Sequence, residues 1–382
     1  MASFPQSDLK RVAIIHDWLT GMRGGERVLE EFLRMFPQAD IFTLIYDPER
    51  VSSIISSHRV VESSIVKLPF GRTHFRSWLP LFPWAIEAFD LKGYQLILSG
   101  SHCVAKGVIP PPDALHVSYV HSPMRYVWDM RTEYLGGDRT TILGRGIAGF
   151  IAHYLRNWDA ASASRVDRFI ANSAHVRNRI IKYYRREATV IHPPVEVEKF
   201  QPGAGNGGYF LTVSALVPYK RIDLAIAACE RLGRPLKVVG DGPEYARLKS
   251  RAGKMTEFLG SVDFKDLPGI YSDALAFIHP AEEDFGIAPL EAQASGRPVI
   301  AYGRGGALET VNAGDDHPTG LFFAEPTVDS LADAISKFDP THFSEGDMRA
   351  NAERFAPERF RHHSELFLND AWDKFNRGEI LR

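Results

Sequence analysis

The stretch HPAEEDFGIAPLEAQASGRPVIA, residues 279–301, predicts a buried strand that ends in a loop and leads into a helix. The Phe-Gly step falls inside the loop, and the helical pattern begins near Pro289. A helix that begins just after a glycine offers free backbone N–H groups and the positive end of its dipole, which suits a phosphate. Strand, loop and helix in this order form a building unit of α/β domains.

Two glutamates flank this phosphate-binding pattern. Glu283 and Glu291 lie eight positions apart, on either side of the Phe-Gly step. A carboxylate beside a bound phosphate can accept hydrogen bonds from hydroxyls, as an acidic residue does for ribose in dinucleotide-binding folds. A phosphate between two hydroxyl-rich groups describes a nucleotide sugar. The plain alternative is a strand–loop–helix unit with two solvated glutamates.

The same order of strand, loop and helix opens each half of the chain. The first half has RVAIIHDW (11–18), TGMRGGER (20–27) and VLEEFLRMF (28–36), and the second has YFLTVSAL (209–216), VPYKR (217–221) and IDLAIAACERL (222–232). This repetition predicts two doubly wound α/β domains. Ligands of such domains bind at the carboxyl ends of the strands, where these loops are expected to lie.

Further short apolar segments predict the remaining strands, because strands covered on both faces are apolar throughout. They are residues 41–46, 94–100, 116–121, 168–173, 236–242, 257–262, 274–280 and 298–303. The Pro- and Gly-rich stretch 192–208 predicts a linker. We therefore predict an N-terminal domain at 1–191, a second domain at 192–356, and a final amphipathic helix within 357–382.

The composition indicates a globular protein without a strong charge bias. The 382 residues are 45% hydrophobic and 24% charged, with a formal net charge of −2, which gives no global reason to bind nucleic acid. Cys103 and Cys229 lie one in each half, which fits a reducing compartment. The N-terminus lacks the apolar core of a signal peptide, and no segment approaches a membrane span. We expect a cytoplasmic protein that can touch the inner face of the plasma membrane.

Two more loops carry groups that can bind a phosphate. Gly24 and Gly25 follow the first strand, where paired glycines let the backbone approach a diphosphate, although such pairs also simply make turns. Lys220 and Arg221 follow the first strand of the second domain. A cation there can neutralise a departing diphosphate, and the alternative is an exposed basic turn.

These motifs resemble, in their order, the retaining glycosyltransferases of family 4, which have the GT-B fold. The resemblance rests on the Gly24-Gly25 loop, on SALVPYKRID and on the pattern from Glu283 to Glu291, and it extends over nearly the whole chain. It implies two Rossmann-like domains that face an interdomain cleft, with the last helix crossing back to the N-terminal domain. HDWLTGMRGGER, HSPMRYVWD and SALVPYKRID are most similar to the WbaZ-like group of bacterial mannosyltransferases.

The resemblance also implies roles for individual residues. The implied catalytic residues are Glu283, His121 and Lys220; the donor-binding residues are Gly24, Gly25, Arg221, Gly242, Val262, Phe285, Gly286, Ile287, Ala288 and Glu291; the acceptor-side residues are Asp17, Arg125 and Tyr126. The common family pattern has a second cation where this chain has Ala215, so Arg221 is a candidate to supply that charge. A lone histidine such as His121 is otherwise more often structural.

The implied reaction moves a sugar, with mannose from GDP-mannose as the expected donor, to a saccharide acceptor that we expect to be lipid-linked. O-antigen or exopolysaccharide assembly is the expected pathway, with retention at the anomeric carbon. No cofactor and no metal are expected, because no Asp-x-Asp motif ends a strand, and the pair Asp315-Asp316 is expected to solvate a turn. A UDP-sugar transferase, a GT-B epimerase and a nucleotide-sugar-binding module remain as alternatives.

Residues 68–89, LPFGRTHFRSWLPLFPWAIEAF, form the most unusual segment, because aromatic residues and prolines alternate with basic ones. Amphipathic, Trp-bearing basic segments settle at lipid headgroups. The segment is therefore a candidate for peripheral membrane contact through Trp78 and Trp84. The alternative is a loop packed over the first domain.

Overall fold

The computed structural model describes residues 11–129, 142–203, 207–314 and 316–379. The chain divides into two compact units. The N-terminal unit comprises Met1–Pro194 together with Glu358–Arg382, and the C-terminal unit comprises Val195–Pro357. Asp315 and residues 130–141 lie outside the described residues.

Each unit is built on a parallel sheet. In the N-terminal unit the strands are β1 (Val12–His16), β2 (Asp40–Thr43), β3 (Val60–Glu62), β4 (Leu96–Ser101), β5 (Leu115–Val120), β6 (Arg168–Ala171) and β7 (Ala188–Val190), in the order β3-β2-β1-β4-β5-β6-β7. In the C-terminal unit they are β8 (Phe210–Val213), β9 (Leu236–Val239), β10 (Thr256–Gly260), β11 (Ala276–His279), β12 (Val299–Tyr302) and β13 (Gly320–Phe323), in the order β10-β9-β8-β11-β12-β13. The predicted doubly wound α/β class is confirmed in both units.

The helices connect successive strands. In the described residues they are α1 (Gly24–Met35), α2 (Ser53–Ser56), α3 (Phe82–Glu87), α4 (Arg125–Trp128), α5 (Ile142–Ser162), α6 (Ala174–Tyr184), α7 (Ile222–Leu232), α8 (Tyr245–Arg251), α9 (Leu267–Asp273), α10 (Ile287–Ala294), α11 (Ala307–Thr310), α12 (Val328–Lys337), α13 (Glu345–Glu353) and α14 (Pro357–Asn376). Short 3₁₀ turns add to them, among which Phe75–Leu81 and Pro218–Lys220 bear on the sites below.

Both faces of each sheet are buried, as the apolar strand sequences predict. In β1, Val12 and Ile14 belong to one core of the N-terminal unit, and Ala13 and Ile15 belong to the core on the opposite face. Successive side chains of a strand point to opposite faces, so a strand covered by helices on both sides must be apolar throughout.

The last helix completes the core of the N-terminal unit. Phe360, Leu368 and Ala371 of α14 are buried there, and the Phe360 ring lies 5.3 Å from that of Phe32 in α1. Leu366, which the sequence pattern places on the apolar face, is 44% exposed. The buried stripe therefore passes through Leu368 instead.

Element boundaries differ from the sequence predictions mainly at helix starts and sheet edges. Helix α1 begins at Gly24 rather than at Val28, so the paired glycines form its first turn instead of a free loop. Strands β3, β7 and β13 were not predicted. They are short strands at or near the sheet edges, and three or four residues carry too little periodicity to separate a strand from a loop.

The order of the strands fixes where ligands can bind. Chain connections run in opposite directions from β1 and β4 in the first sheet, and from β8 and β11 in the second. Parallel sheets of this kind bind ligands beyond the carboxyl ends of the strands at such a reversal. The loops of interest are therefore those after β1 and β4, and those after β8 and β11.

Candidate functional site

The loop between β11 and α10 forms the centre of the candidate donor site in the C-terminal unit. Gly286 caps α10 with φ of 94°, a left-handed conformation that favours glycine. The helix begins at Ile287, so the backbone N–H groups of Ile287 and Ala288 lie in its first turn and have no partner within the helix. These groups and the helix dipole can bind an anion.

Lys220 and Glu283 form an ion pair at this loop. Lys220 ends the 3₁₀ turn after β8, and Glu283 follows β11, so the pair joins the loops on the two sides of the reversal. The side chains are 16% and 19% exposed, so both groups stay accessible to a small ligand. A charged pair at the surface of a binding loop can exchange its internal contact for contacts with phosphate and hydroxyl groups.

His279 lies beneath this pair. Its Nε2 is 3.8 Å from Glu283 Oε1, and the imidazole is buried at the end of β11. Burial lowers the pKa of His279, and Lys220 acts in the same direction against the charge of Glu283. A neutral imidazole therefore lies next to the Glu283 carboxylate. The sequence showed this histidine at the end of a strand, but a lone histidine there gave no distinct signal.

The Arg221 side chain forms an ion pair with Asp223, two residues further along the chain. Its Nε lies 3.2 Å from Asp223 Oδ1, and its backbone is left-handed with φ of 51°. The structure therefore brings Lys220, and not Arg221, to Glu283. A phosphate would have to compete with Asp223 for Arg221, which weakens Arg221 as the replacement for the cation absent at Ala215.

Glu291 lies in α10, where Tyr271 orients it. The Tyr271 hydroxyl donates to Glu291 Oε2 at 2.8 Å, and the tyrosine ring is fully buried. Burial raises the pKa of Tyr271, and the charge of Glu291 adds to that shift, so the hydroxyl remains a donor. The sequence did not identify Tyr271, because it lies on the separate helix α9.

Three predicted donor-binding residues have packing roles in the structure. Phe285 is buried and packs against Phe355 with ring centroids 5.5 Å apart, so only its backbone can reach a ligand. A Cβ on Gly242 would lie 2.4 Å from the carbonyl oxygen of Leu216, so this glycine allows two loops to pack. Val262 packs partly against the core of the C-terminal unit.

The glycine pair after β12 was missed by the sequence analysis. Gly305 forms an isolated parallel β-bridge with Glu283. The Gly306 N–H donates to the Glu283 backbone carbonyl at 2.8 Å. A Cβ on Gly306 would lie 2.3 Å from Cα of Phe285. These two glycines therefore fix the backbone that carries Glu283. The signal was present in the sequence GRGG, a glycine pair that follows a predicted strand and precedes a helix, as the Gly24-Gly25 pair does.

In the N-terminal unit, Asp17 is a structural anion. It is fully buried, and its two carboxylate oxygens accept the backbone N–H groups of residues 102 to 105 at 2.7–2.9 Å. Burial opposes its ionisation, but the charge of His102 and hydrogen bonds to it hold the pKa of Asp17 well below its usual range. The predicted direct contact between Asp17 and an acceptor is therefore corrected, because the carboxylate is occupied by the loop after β4.

His121 lies with two further histidines at the carboxyl edge of this sheet. Its ring centroid is 6.5 Å from those of both His16 and His102. Burial lowers the pKa of His121 to about 3, and His102 and His16 act in the same direction. Its backbone carbonyl accepts the side-chain amide of Asn172 at 2.9 Å, so the imidazole is the part of His121 that can meet a ligand.

The helix start of α1 approaches this histidine cluster. A Cβ on Gly25 would lie 3.5 Å from His121 Nε2 and 3.5 Å from His16 Cε1. Glu26, next in the chain, is buried with Oε1 3.5 Å from His16 Nε2. Gly25 thus lies close to His121, while His16, Glu26 and His102 were not identified from the sequence.

Arg125 and Tyr126 begin α4, directly after His121. Arg125 Nε donates to Ser122 Oγ at 3.3 Å, and its side chain is partly exposed. Tyr126 is directed inward, since its hydroxyl contacts Cys103 Sγ and its ring packs against the core. Of the three predicted acceptor-side residues, Asp17 and Tyr126 are directed into the fold, and the Arg125 side chain is partly exposed.

The next two observations concern metal-binding clusters and membrane-spanning helices. In the described ranges no cluster of three or more His, Cys, Asp or Glu side chains is placed to hold a metal ion. The helices described there include none with the length and apolar character required to cross a bilayer.

Comparisons with known proteins find matching family models. The family model described as "Glycosyltransferase Family 4" matches residues 22–199, and the family model described as "Glycosyl transferases group 1" matches residues 195–355. Together the two matches extend over residues 22–355, so the chain is similar over most of its length to the glycosyltransferases of these two descriptions. A GDP-mannose-dependent alpha-(1-6)-phosphatidylinositol monomannoside mannosyltransferase from Mycobacterium tuberculosis is 29% identical over 197 residues, which are 43% of this chain and 50% of that protein. The chain spans about half the length of such curated relatives.

Solved structures identify the fold. Sucrose-phosphate synthase from Thermosynechococcus elongatus matches 95% of this chain and 99% of its own with a TM-score of 0.72 and 19% identity. HepE from Anabaena, solved in complex with UDP, matches 94% of this chain and 100% of its own with a TM-score of 0.66 and 16% identity. With its two Rossmann-like sheets of seven and six strands, the chain has the GT-B fold.

Proposed function

We propose that this protein transfers mannose from GDP-mannose to a saccharide acceptor with retention of configuration. The observation that carries the reaction class is the Lys220–Glu283 pair beside the helix start at Ile287. It combines a cation and free N–H groups for a diphosphate with a carboxylate for sugar hydroxyls. The mannosyltransferase from Mycobacterium tuberculosis supports the choice of donor.

In this proposal, different residues of the C-terminal unit bind different parts of the donor. Lys220 and the N–H groups at Ile287 and Ala288 bind the diphosphate, and Glu283 accepts hydrogen bonds from the sugar hydroxyls. Glu291, oriented by Tyr271, accepts hydrogen bonds from the ribose. When the diphosphate departs it gains negative charge, and fixed donors stabilise that charge more than they stabilise the bound donor.

In the proposed reaction the acceptor hydroxyl attacks from the face that the diphosphate leaves. The acceptor oxygen bonds to the anomeric carbon as the bond from that carbon to the phosphate oxygen breaks. The proton of the hydroxyl passes to the departing phosphate oxygen, so no protein nucleophile is needed. Because Lys220 and backbone N–H groups carry the diphosphate, we propose that transfer proceeds without a metal or another cofactor.

The acceptor side of the proposal uses the N-terminal unit. The neutral His121 imidazole can orient a sugar hydroxyl and stabilise positive charge on the ring carbon, and Arg125 is the accessible residue of the following helix. We propose a lipid-linked acceptor in bacterial O-antigen or exopolysaccharide assembly, used at the cytoplasmic face of the membrane.

Calorimetry with the whole chain tests the donor. GDP, UDP, ADP and dTDP are titrated in EDTA, followed by their sugar conjugates. Selective binding of GDP and GDP-mannose supports the mannosyltransferase. Preference for UDP replaces the donor and leaves the reaction class, while failure to bind any nucleotide overturns the function. Product formed without an added acceptor would favour an epimerase, and donor binding without turnover, across a panel of saccharide acceptors, would favour a binding module.

A further inference from the structure

A cluster of cations surrounds Trp18 in the N-terminal unit. Trp18 follows β1, and its ring lies 4.4 Å from the ring of His102 in an edge-to-face contact. The guanidinium of Arg76 lies 5.8 Å from the Trp18 ring and 4.9 Å from the Phe75 ring. Arg23 directly precedes α1. Trp18 and Arg23 lie in the loop after β1, His102 lies after β4, and Arg76 lies in the 3₁₀ turn Phe75–Leu81 between β3 and β4.

Two arginines belong to this cluster, and the positive charge of Arg23 acts on Arg76. Partial burial lowers the pKa of Arg76, and the positive charge of Arg23 lowers it further. In the part of the chain that the structure describes, neither arginine forms an ion pair with a carboxylate. Most other arginines of this unit do, such as Arg72, which pairs with Glu62 at 2.8 Å. Like charges held together without a counter-ion favour the binding of an anion.

The third member of the cluster, His102, lies beside a buried acid. Burial disfavours its charge, but Asp17, with Oδ2 3.0 Å from His102 Nδ1, raises the pKa of His102. The acids near the cluster are turned inward. Asp17 is occupied by the N–H groups after β4, and Glu26 accepts the Arg23 N–H at 2.9 Å and lies against His16. Neither of these two acids forms an ion pair with the guanidinium of Arg23 or Arg76.

We propose that Arg23, Arg76 and His102, with the Trp18 ring beneath them, form a subsite for a phosphate or diphosphate group of the acceptor. Guanidinium groups bind phosphate oxygens through paired hydrogen bonds, and an aromatic ring beside them fixes the direction of approach. The subsite rests on the proposed transferase function and defines its acceptor as an anionic saccharide. The phosphate belongs either to the linkage between sugar and lipid or to the sugar itself.

Calorimetry with three probes distinguishes these sources. The first is N-acetylglucosamine joined through a diphosphate to farnesol, the second is N-acetylglucosamine 6-phosphate, and the third is the uncharged octyl glycoside of N-acetylglucosamine. GDP is titrated first, since its binding reports on the proposed function independently, and it is then kept at saturation so that the donor diphosphate site is occupied. If GDP does not bind, the same three probes are titrated without it.

We expect at least one charged probe to bind about tenfold more tightly than the uncharged glycoside, because each charge-assisted hydrogen bond is worth about one decade in affinity. Arg23→Gln and Arg76→Gln should each remove about that factor, and Arg76→Lys should restore part of it. Arg72→Gln, which removes a paired arginine of the same segment, should leave the difference intact. Thermal unfolding of each variant confirms that it is folded.

A preference for the diphosphate-linked probe alone assigns the phosphate to the lipid carrier, and a preference that includes the 6-phosphate assigns it to the sugar. Either result supports the subsite. Equal binding of all three probes overturns it, and so does a charge preference that survives in the double variant Arg23→Gln/Arg76→Gln. Normal GDP binding with either negative result leaves the proposed donor chemistry standing.

Discussion

Lys220 and Glu283 are the residues on which the proposed chemistry depends most directly. We expect Lys220→Met and Glu283→Gln each to lower kcat by about tenfold to a hundredfold, because each removes a fixed group that stabilises charge in the transition state. Steady-state kinetics with GDP-mannose and an accepted saccharide measure this. Lys265→Met is the matched control, since Lys265 is 77% exposed in the same unit. Rates near the wild-type value in both variants would contradict the roles.

Asp17 is predicted to control stability and not acceptor binding. Its pKa in the folded protein lies below the ordinary value of 3.8, so the stability that it contributes is present at neutral pH and is lost as the pH falls below that value. Asp17→Asn should lower the free energy of unfolding by about 3–5 kcal/mol, because an amide cannot accept hydrogen bonds on both sides.

Urea unfolding between pH 3 and pH 7 measures the effect of Asp17. The control is Asp113→Asn, which changes an exposed carboxylate of the same unit. An Asp17→Asn variant as stable as this control would show that the loop after β4 does not depend on the buried anion.

At the scale of the element, the start of α10 depends on one glycine. A Cβ at Gly286 would make only ordinary contacts of 3.5–3.6 Å, so the cost of Gly286→Ala comes from φ of 94°. That backbone strain is about 1–2 kcal/mol. We expect the helix start to shift and GDP to bind about tenfold more weakly in calorimetry.

Gly269→Ala is the matched control for this prediction. Gly269 lies in α9, and nothing lies within 4 Å of its Cβ position. Alanine should therefore be neutral or slightly stabilising in that helix. Equal GDP affinity in the two variants would show that the geometry at Gly286 does not position the anion-binding N–H groups.

At the scale of the whole molecule, the last helix joins the two ends of the chain in one unit. Phe360→Ala should lower the free energy of unfolding of the N-terminal unit by about 3–5 kcal/mol, because a buried aromatic ring is lost against Phe32. Leu366→Ala, at a 44% exposed position of the same helix, should have a much smaller effect. Chemical denaturation followed by far-UV circular dichroism measures both, and similar losses would refute the packing argument.

The segment 68–89 makes a further prediction at this scale. Trp84 is 57% exposed on α3, whereas Trp78 packs against the core and its Nε1 donates to the Pro69 carbonyl at 3.0 Å. We propose membrane contact through Trp84, so Trp84→Ala should reduce co-sedimentation with anionic liposomes several-fold. Leu308→Ala, at a 57% exposed position in the C-terminal unit, is the control. Unchanged sedimentation of Trp84→Ala would refute the contact.

The sequence by itself determined the α/β class, the repeated strand–loop–helix unit and the resemblance to the family 4 glycosyltransferases. The apolar strands are local patterns, and the pattern from Glu283 to Glu291 with its Phe-Gly step lies within one continuous stretch, so both can be read without knowledge of neighbours in space. Gly24, Gly25 and His121 could be singled out for a similar reason, because the glycine pair lies in the loop after one predicted strand and His121 lies at the end of another.

Tertiary structure alone decided which side chains face a ligand and which support the fold. Asp17 and Phe285 look like binding residues in the sequence, yet one holds four N–H groups of a distant loop and the other fills the core. Tyr271 and the cluster of Arg23, Arg76 and His102 gain their meaning only when the strand order brings separate loops together. Burial and charge are properties of neighbours in space, and these neighbours come from elements dozens of residues apart.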